Sequence, residues 1–423
     1  MALARALYSL ATGAAQPLLR RKLRRRGVAE PGYLEAVEER FGRYAQPAEP
    51  GALWIHAVSL GETRAAAILV HALRERAPGL RLLLTHGTAT GRAEGARLLR
   101  PGDRQAWLPW DTPGAVRRFL AHHRPCAGVL METEVWPNLV ALCARQGVPL
   151  ALANARLSGK SMAQALKWPA LSRPAYGALA AVWAQTQADA ERLARVGARV
   201  DGVFGNLKFD ARPDLAQLER GLTWRAQVDA PVVMFASSRE GEEAAFFREV
   251  AARRGQGLRW LVVPRHPQRF DEVAQLAQAA GLSVSRRSAW GEGGPAQADV
   301  WLGDSLGEMA LYYGLADAAL LGGSFEPLGG QNLIEAAACA CPVVMGPHTF
   351  NFAEAADNAQ AAGAALRVAG LGEGVARAAA LAADATARSA MAQAAQDFAA
   401  AHRGAAARTA DAVLALAARR GAR

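Results

Sequence analysis

Cysteine is scarce in this 423-residue chain: Cys126, Cys143, Cys339 and Cys341 are its four, with no CxxC pair and no histidine at zinc-finger spacing. That pattern excludes a disulfide framework and a structural zinc site, and it fits a reducing compartment. Aromatic residues make up only 7% of the chain, and its lysines and arginines are scattered rather than drawn into a stripe with stacking aromatics. A nucleic-acid-binding protein would need such a stripe. Neither a Walker A loop nor a GxGxxG fingerprint occurs, so the two common phosphate-binding signatures identify no nucleotide. A spanning helix needs roughly 20 apolar residues, and the best stretch, residues 1–19, is interrupted by Arg5, Ser9, Thr12, Gly13 and Pro17.

What the chain does have is apolar mass and positive charge. With 51% hydrophobic and 21% charged residues it can bury a large core, and at about 150 residues per domain two or three domains are expected. Lys plus Arg at 49 against Asp plus Glu at 38 gives a net charge of +11, which suits an anionic partner: nucleic acid, an acidic lipid surface or a phosphorylated substrate. The densest basic cluster, Arg20 to Arg26, directly follows the apolar terminus. A secretory signal carries its charge before the apolar run, not after it. The order here predicts a membrane-associating segment over residues 1–27, an interfacial helix with a polybasic flank on anionic headgroups, with the rest of the chain on the cytoplasmic side. The competing reading is an ordinary amphipathic first helix packed on the protein itself.

From residue 53 onward one unit repeats: a short apolar run, a loop with glycine or small polar residues, then an amphipathic stretch. The runs are 53–58, 80–85, 126–131, 148–154 and 181–185, and again 232–236, 260–263, 299–302, 318–321 and 342–345. Each is continuous rather than alternating, as expected of strands buried on both faces of a parallel sheet. The polar stretch 211–230 interrupts the series. The fold class is therefore α/β in two such domains, 28–215 and 216–423, which facing each other would make a cleft.

In open α/β sheets ligands sit where strands end and helices begin. Glu62 and Glu132 lie at two such ends in the first half, where a site that activates a hydroxyl needs one carboxylate base; the plain alternative for Glu62 is a first-turn residue on the helix dipole. Lys208 follows the last strand of that half, where an ammonium could stabilise a leaving phosphate. For Glu132 and Lys208 the alternative is a solvated loop charge or an inter-domain ion pair. In the second half Pro264-Arg265-His266-Pro267 fixes a cation at a strand end, suited to a phosphate or to capping a helix. Gly322, Gly323, Gly329 and Gly330, followed by Asn332 and Glu335, suit close approach of backbone to phosphate, or simply tight turns.

These residues sit in longer strings. Trp54-Ile-His-Ala-Val-Ser-Leu-Gly-Glu62, Met131-Glu-Thr-Glu-Val-Trp-Pro-Asn138, Ala153-Asn-Ala-Arg-Leu-Ser158, Asn206-Leu-Lys-Phe-Asp210, Val263-Pro-Arg-His-Pro267, Gly303-Asp-Ser-Leu-Gly-Glu308 and Val344-Met-Gly-Pro-His-Thr-Phe-Asn-Phe352 resemble, in one order and at compatible spacing, the 3-deoxy-D-manno-octulosonic acid (Kdo) transferases of lipopolysaccharide biosynthesis. The resemblance implies a GT-B glycosyltransferase, two Rossmann-like domains facing across a cleft, that moves Kdo from CMP-Kdo to the phosphorylated lipid A precursor, lipid IVA, with inversion, on the cytoplasmic face of a Gram-negative inner membrane. It implies Glu62 as general base and Glu132 and Lys208 as transition-state stabilisers. CMP contacts would fall on Pro264, Arg265, Leu306, Gly307, Glu308, Asn332, Leu333, Ile334 and Glu335. No cofactor and no metal is implied, and no nucleic-acid partner.

Two strings depart from the family pattern. Thr88-Ala-Thr-Gly91 stands where Thr-Pro-Thr-Gly is common, and Gly329-Gly-Gln-Asn-Leu-Ile-Glu335 where Gly-Gly-His-Asn-Pro-Leu-Glu is usual. Within the same broad class, a UDP-sugar transferase or a nucleotide-sugar epimerase is the alternative, separable by nucleotide choice.

Overall fold

The structure, a computed structural model, describes residues 2–48 and 50–421. The chain divides into two compact units, residues 1–210 with 403–423, and residues 211–402.

The first unit is built on seven parallel strands: β1 (Leu53–His56), β2 (Leu82–His86), β3 (Arg104–Trp107), β4 (Ala127–Met131), β5 (Leu150–Ala155), β6 (Ala181–Ala184) and β7 (Gly202–Val203), in the order β3-β2-β1-β4-β5-β6-β7. The second holds β8 (Val232–Ser238), β9 (Arg259–Pro264), β10 (Val284–Arg286), β11 (Val300–Leu302), β12 (Ala318–Leu321), β13 (Val343–Met345) and β14 (Ala365–Arg367), also all parallel, in the order β10-β11-β9-β8-β12-β13-β14. The central strands β1, β4, β8 and β12 are buried along nearly their whole length, because helices cover both faces of each sheet and leave no side for polar residues. Strand order reverses between β1 and β4 in one sheet and between β8 and β12 in the other. Crossover helices leave in opposite directions there, which opens a crevice at the carboxyl ends of those strands.

Two features depart from the sequence reading. Each sheet has seven strands where five apolar runs were apparent; β3, β7, β10 and β14 are short strands toward the sheet edges, with segments such as Arg-Gln-Ala-Trp and Val-Ser-Arg that are only partly buried. The last helix, Ala405–Gly421, does not belong with the second sheet, where a 216–423 domain would put it. It returns to the first unit: Ala405, Ala406, Ala410, Val413 and Leu416 are buried against Leu69 and Leu73, and the Asp210 carboxylate accepts the Gly404 and Ala406 N–H groups at 2.6 and 2.7 Å.

The N-terminal pair of helices, Ala2–Ala14 and Gln16–Ala29, is oriented against the usual rule. Its polar side chains face the protein: Ser9 Oγ donates to Asn138 Oδ1 at 2.9 Å, Thr12 Oγ1 donates to the Asp111 carbonyl at 3.3 Å, and Tyr8 hydrogen-bonds Asp111. Its leucines face out, with Leu3, Leu7 and Leu10 exposed by 73, 59 and 70%. Further along, Leu23 and Gly27 are buried, and Arg20 stacks on Phe41 and pairs with Glu38 at 2.6 Å. Among the described residues no helix is long and apolar enough to cross a membrane.

Candidate active site

The crevice of the first sheet gathers three carboxylates. Ser59 caps the helix Leu60–Arg76 that follows β1, its Oγ accepting the Glu62 N–H at 3.4 Å. Glu62 folds back over that cap: Oε2 accepts the Val58 N–H at 2.9 Å and Oε1 accepts the Ser59 hydroxyl at 3.1 Å. The arrangement is close to a reciprocal capping box, so the first-turn reading of Glu62 holds in the structure. It also fixes the rotamer of a half-buried carboxyl at the switch point. Burial raises the Glu62 pKa to about 7; the Val58 N–H works against the shift, and the charges of Glu132 and Glu134 add to it. A carboxyl balanced at neutral pH is suited to take a proton from a hydroxyl. The floor of this loop needs Gly91, since a Cβ there would come within 2.8 Å of the Val58 carbonyl oxygen; the Thr88 hydroxyl and N–H hold that same oxygen, both at 2.9 Å.

Glu132 ends β4 in a left-handed conformation, φ +58°, and is buried. Such a backbone costs of order 1 kcal/mol for a non-glycine residue and persists where its surroundings fix it. Here the Glu132 N–H donates to Ala153, its carbonyl accepts the Arg156 N–H, and its carboxylate accepts Arg156 Nε at 2.7 Å. Glu134, two residues on, has its pKa raised by burial and by the Glu132 charge, with the Trp136 indole donating to it at 2.8 Å. The sequence reading gave Glu134 no role.

Beside Glu132, Asn154 at the end of β5 is also left-handed, φ +51°. Its Oδ1 accepts the Leu207 N–H at 3.0 Å, and the Lys208 N–H donates to Asn206 at 3.0 Å. Asn154 thus ties the turn carrying Lys208 to the strand end next to Glu132, and it too was assigned no role from the sequence. The structure brings Glu62 and Glu132 into electrostatic range and places Lys208 on a turn anchored beside them.

In the second unit the residues read from the sequence fall on three strand ends, those of β11, β9 and β12, with β8 lying between the last two. Pro264 closes β9, and the Arg265 N–H donates to Ser238 at 3.0 Å. The neighbouring Arg269 pairs with Glu243 at 2.6 Å and Glu272 at 2.8 Å. Gly322 is required after β12, because a Cβ would overlap the carbonyl oxygen of Ser237, itself at φ +54°. Glu242, fully buried and missed from the sequence, accepts the N–H groups of Arg239, Gly323 and Phe325 at 2.9, 2.8 and 3.2 Å and so sets both loops. The Gly330 N–H donates to the Gly323 carbonyl at 2.7 Å, and Asn332 caps the helix Leu333–Ala338 through its side chain.

Three of the expected donor contacts are narrowed by the structure. Leu333 and Ile334 are buried in the core, so only their backbone is left to meet a ligand. Glu308 is already held by Arg287 at 2.8 Å and by the Ser305 hydroxyl at 2.5 Å. Leu306 is exposed, Gly307 stands at φ +81°, and its carbonyl accepts Gln217 Nε2 at 3.0 Å. Among the described residues no group of three His, Cys, Asp or Glu side chains is placed to hold a metal ion.

Residues 35–211 match the family model described as 3-deoxy-D-manno-octulosonic-acid transferase (kdotransferase). A 3-deoxy-D-manno-octulosonic acid transferase of Bordetella pertussis is 50% identical over 424 residues, 97% of this chain and 98% of that one. One of Haemophilus influenzae is 33% identical over 347 residues, 80% and 81% of the two chains. Among solved structures, a glycosyltransferase from Rickettsia africae superposes with a TM-score of 0.58 at 11% identity, covering 87% of this chain and 99% of that one. A UDP-GlcNAc 2-epimerase from Neisseria meningitidis reaches 0.56 at 12% identity, over 86% and 99%; at such identities the two share a fold with this chain. Identity of this extent across nearly the full length of both chains means that the chain belongs to the 3-deoxy-D-manno-octulosonic acid (Kdo) transferases, glycosyltransferases of lipopolysaccharide biosynthesis.

Proposed function

We propose that the protein transfers Kdo from CMP-Kdo to a glucosamine hydroxyl of the phosphorylated lipid A precursor, lipid IVA, with inversion at the anomeric carbon. The observation that carries the reading is Glu62: a carboxyl at the switch point of the first sheet whose pKa is raised to about 7. Glu62 takes the hydroxyl proton as the acceptor oxygen bonds to the Kdo anomeric carbon. The bond from that carbon to the CMP phosphate oxygen breaks, and CMP leaves with the electron pair. Glu132 and Lys208 stabilise the charge that develops, and Arg265, Gly307 and the backbone between Gly322 and Glu335 hold CMP, with Asn332 and Glu335 at the entry to the last helix of that group. Charge on the leaving phosphate is met by the guanidinium and by backbone N–H groups, without a divalent ion.

The outward leucines of the first helix and the exposed cations of the second support attachment to the cytoplasmic face of the inner membrane. An apolar helix face partitions into the headgroup boundary, and each nearby Lys or Arg adds about 1 kcal/mol on anionic lipid. The two helices lie on the surface rather than cross it. The test is to incubate purified protein with CMP-Kdo and lipid IVA in EDTA and to weigh the lipid by mass spectrometry. A gain of one or more Kdo masses is expected. An unchanged lipid, with CMP still protecting the protein against thermal unfolding and UDP not doing so, would overturn the acceptor.

A further inference from the structure

Directly after Glu134 the surface opens into a groove of about 690 Å³. Its wall starts at Val135 and Pro137 and continues over the helices Gly159–Leu166 and Pro169–Gly177. Alanines at 163, 165 and 175 leave it open, while Leu171 and the Tyr176 ring make it apolar. The helix Gly159–Leu166 buries none of its residues although it packs on its neighbours, and Trp168 stands at the rim, 66% exposed. An indole left that open in a groove of this size marks a surface that gains by being covered.

Charge narrows the occupant. Among the described residues the groove is lined by two lysines, Lys160 and Lys167, and by no carboxylate. Both lysines are exposed, as ammonium groups waiting on an anion would be. Apolar walls with a cationic rim fit an amphiphile with an anionic head, and two independent features say which. One end of the groove adjoins the crevice carboxylates: its lining begins at Val135, next to Glu134, and the Tyr176 hydroxyl feels the charge of Glu134. The helix with the outward leucines packs on the helices Pro137–Arg145 and Pro169–Gly177, the second of which is a groove wall. The groove therefore lies between the helix that carries the outward leucines and the crevice that holds Glu134.

We propose that the groove takes one acyl chain of the lipid acceptor, with an acceptor phosphate held at the rim by Lys160 and Lys167. The proposal rests on the acceptor reading above and adds how the enzyme selects an acylated substrate. Binding energy from a chain remote from the reacting hydroxyl would then position the sugar over Glu62.

The test compares two acceptors in detergent, lipid IVA and its fully deacylated phosphorylated disaccharide, with the intact protein, Ala163→Trp and the double variant Lys160→Ala/Lys167→Ala. Ala163 is exposed, so an indole there fills the groove without entering the core. The expected result for Ala163→Trp is a tenfold or greater rise in the ratio of KM for lipid IVA to KM for the deacylated acceptor, as loss of a few buried methylenes implies. The lysine variant should raise KM for lipid IVA and not for a dephosphorylated lipid IVA. An unchanged ratio in Ala163→Trp overturns the groove, and an unchanged KM for lipid IVA in the lysine variant overturns the phosphate at its rim; weaker sedimentation with phospholipid vesicles at an unchanged ratio overturns it too, by assigning the groove to bulk membrane lipid. If the unaltered protein transfers Kdo to neither acceptor, the acceptor reading itself falls and takes the groove with it.

Discussion

Replacing Glu62 by glutamine separates the two things its carboxyl does, capping a helix and holding a proton. The amide oxygen of the new side chain can still accept from Val58 N–H, so the cap survives; what is lost is the ability to ionise. In the parent, burial lifts the Glu62 pKa from an ordinary 4.5 to about 7. The folded state therefore holds this proton more tightly than the unfolded chain does, and the sign follows: the group costs nothing below pH 4.5, the cost grows as pH rises from 4.5 to 7, and it is constant above that. At 1.36 kcal/mol per unit the shift corresponds to about 3 kcal/mol, which the partial exposure of the side chain trims to about 2 kcal/mol. Glu62→Gln should thus be more stable than the parent by about 2 kcal/mol at pH 8 and equal to it near pH 4.5. In a unit of this size that is a difference of roughly 4–8 °C in Tm. The same variant should lose 100-fold or more in turnover while CMP protection is unchanged, as removal of a general base requires. Thermal scans of both proteins at pH 4.5 and pH 8 decide it. A Tm difference that is the same at both pH values would mean that folding does not raise the Glu62 pKa and that the residue serves only as a cap.

Arg265→Ala should weaken CMP binding about 10- to 100-fold by calorimetry, since a charged hydrogen bond contributes about 1.5–3 kcal/mol. Asn154→Ala removes the acceptor of the Leu207 N–H and puts alanine at φ +51°; urea unfolding should show a loss of about 2 kcal/mol, and turnover should fall with no change in KM for CMP-Kdo. Gly322→Ala drives a methyl into the Ser237 carbonyl and should leave too little folded second unit to bind CMP, read as loss of CMP-dependent thermal protection. Leu3→Gln/Leu7→Gln/Leu10→Gln should abolish sedimentation with anionic vesicles and leave transfer to detergent-dispersed acceptor intact, because these side chains touch solvent rather than the core.

Much of the fold was legible because the central strands are buried on both faces and therefore read as unbroken apolar runs, from Leu-Trp-Ile-His in β1 to Val-Val-Met-Phe in β8. Edge strands lack that signature: Arg-Gln-Ala-Trp pairs on one side only, and nothing in its composition separates it from a loop. The last helix carries an alanine-rich face that would suit either sheet, and only the cap on Asp210 and the packing on Leu69 and Leu73 assign it to the first. Glu62, Glu132 and Arg265 were found as polar residues at strand ends, a rule of position. Asn154 and Glu242 hold backbone groups far away in sequence, and Glu134 acts on the distant Glu62 by its charge, so these links became visible only when the strands were side by side. Leu333 and Ile334 show the converse: proximity to the glycine loop in sequence suggested contact, and their side chains turn into the core.

Carboxyl-carbon NMR of the intact protein labelled at glutamate, with the Glu62 resonance identified by its absence from Glu62→Gln, reads the protonation of this carboxyl itself. A titration midpoint near 7 is expected, well above that of surface glutamates. A midpoint at or below 4.5 would contradict it, for a carboxylate that is ionised and satisfied by its cap has no reason to take the acceptor proton.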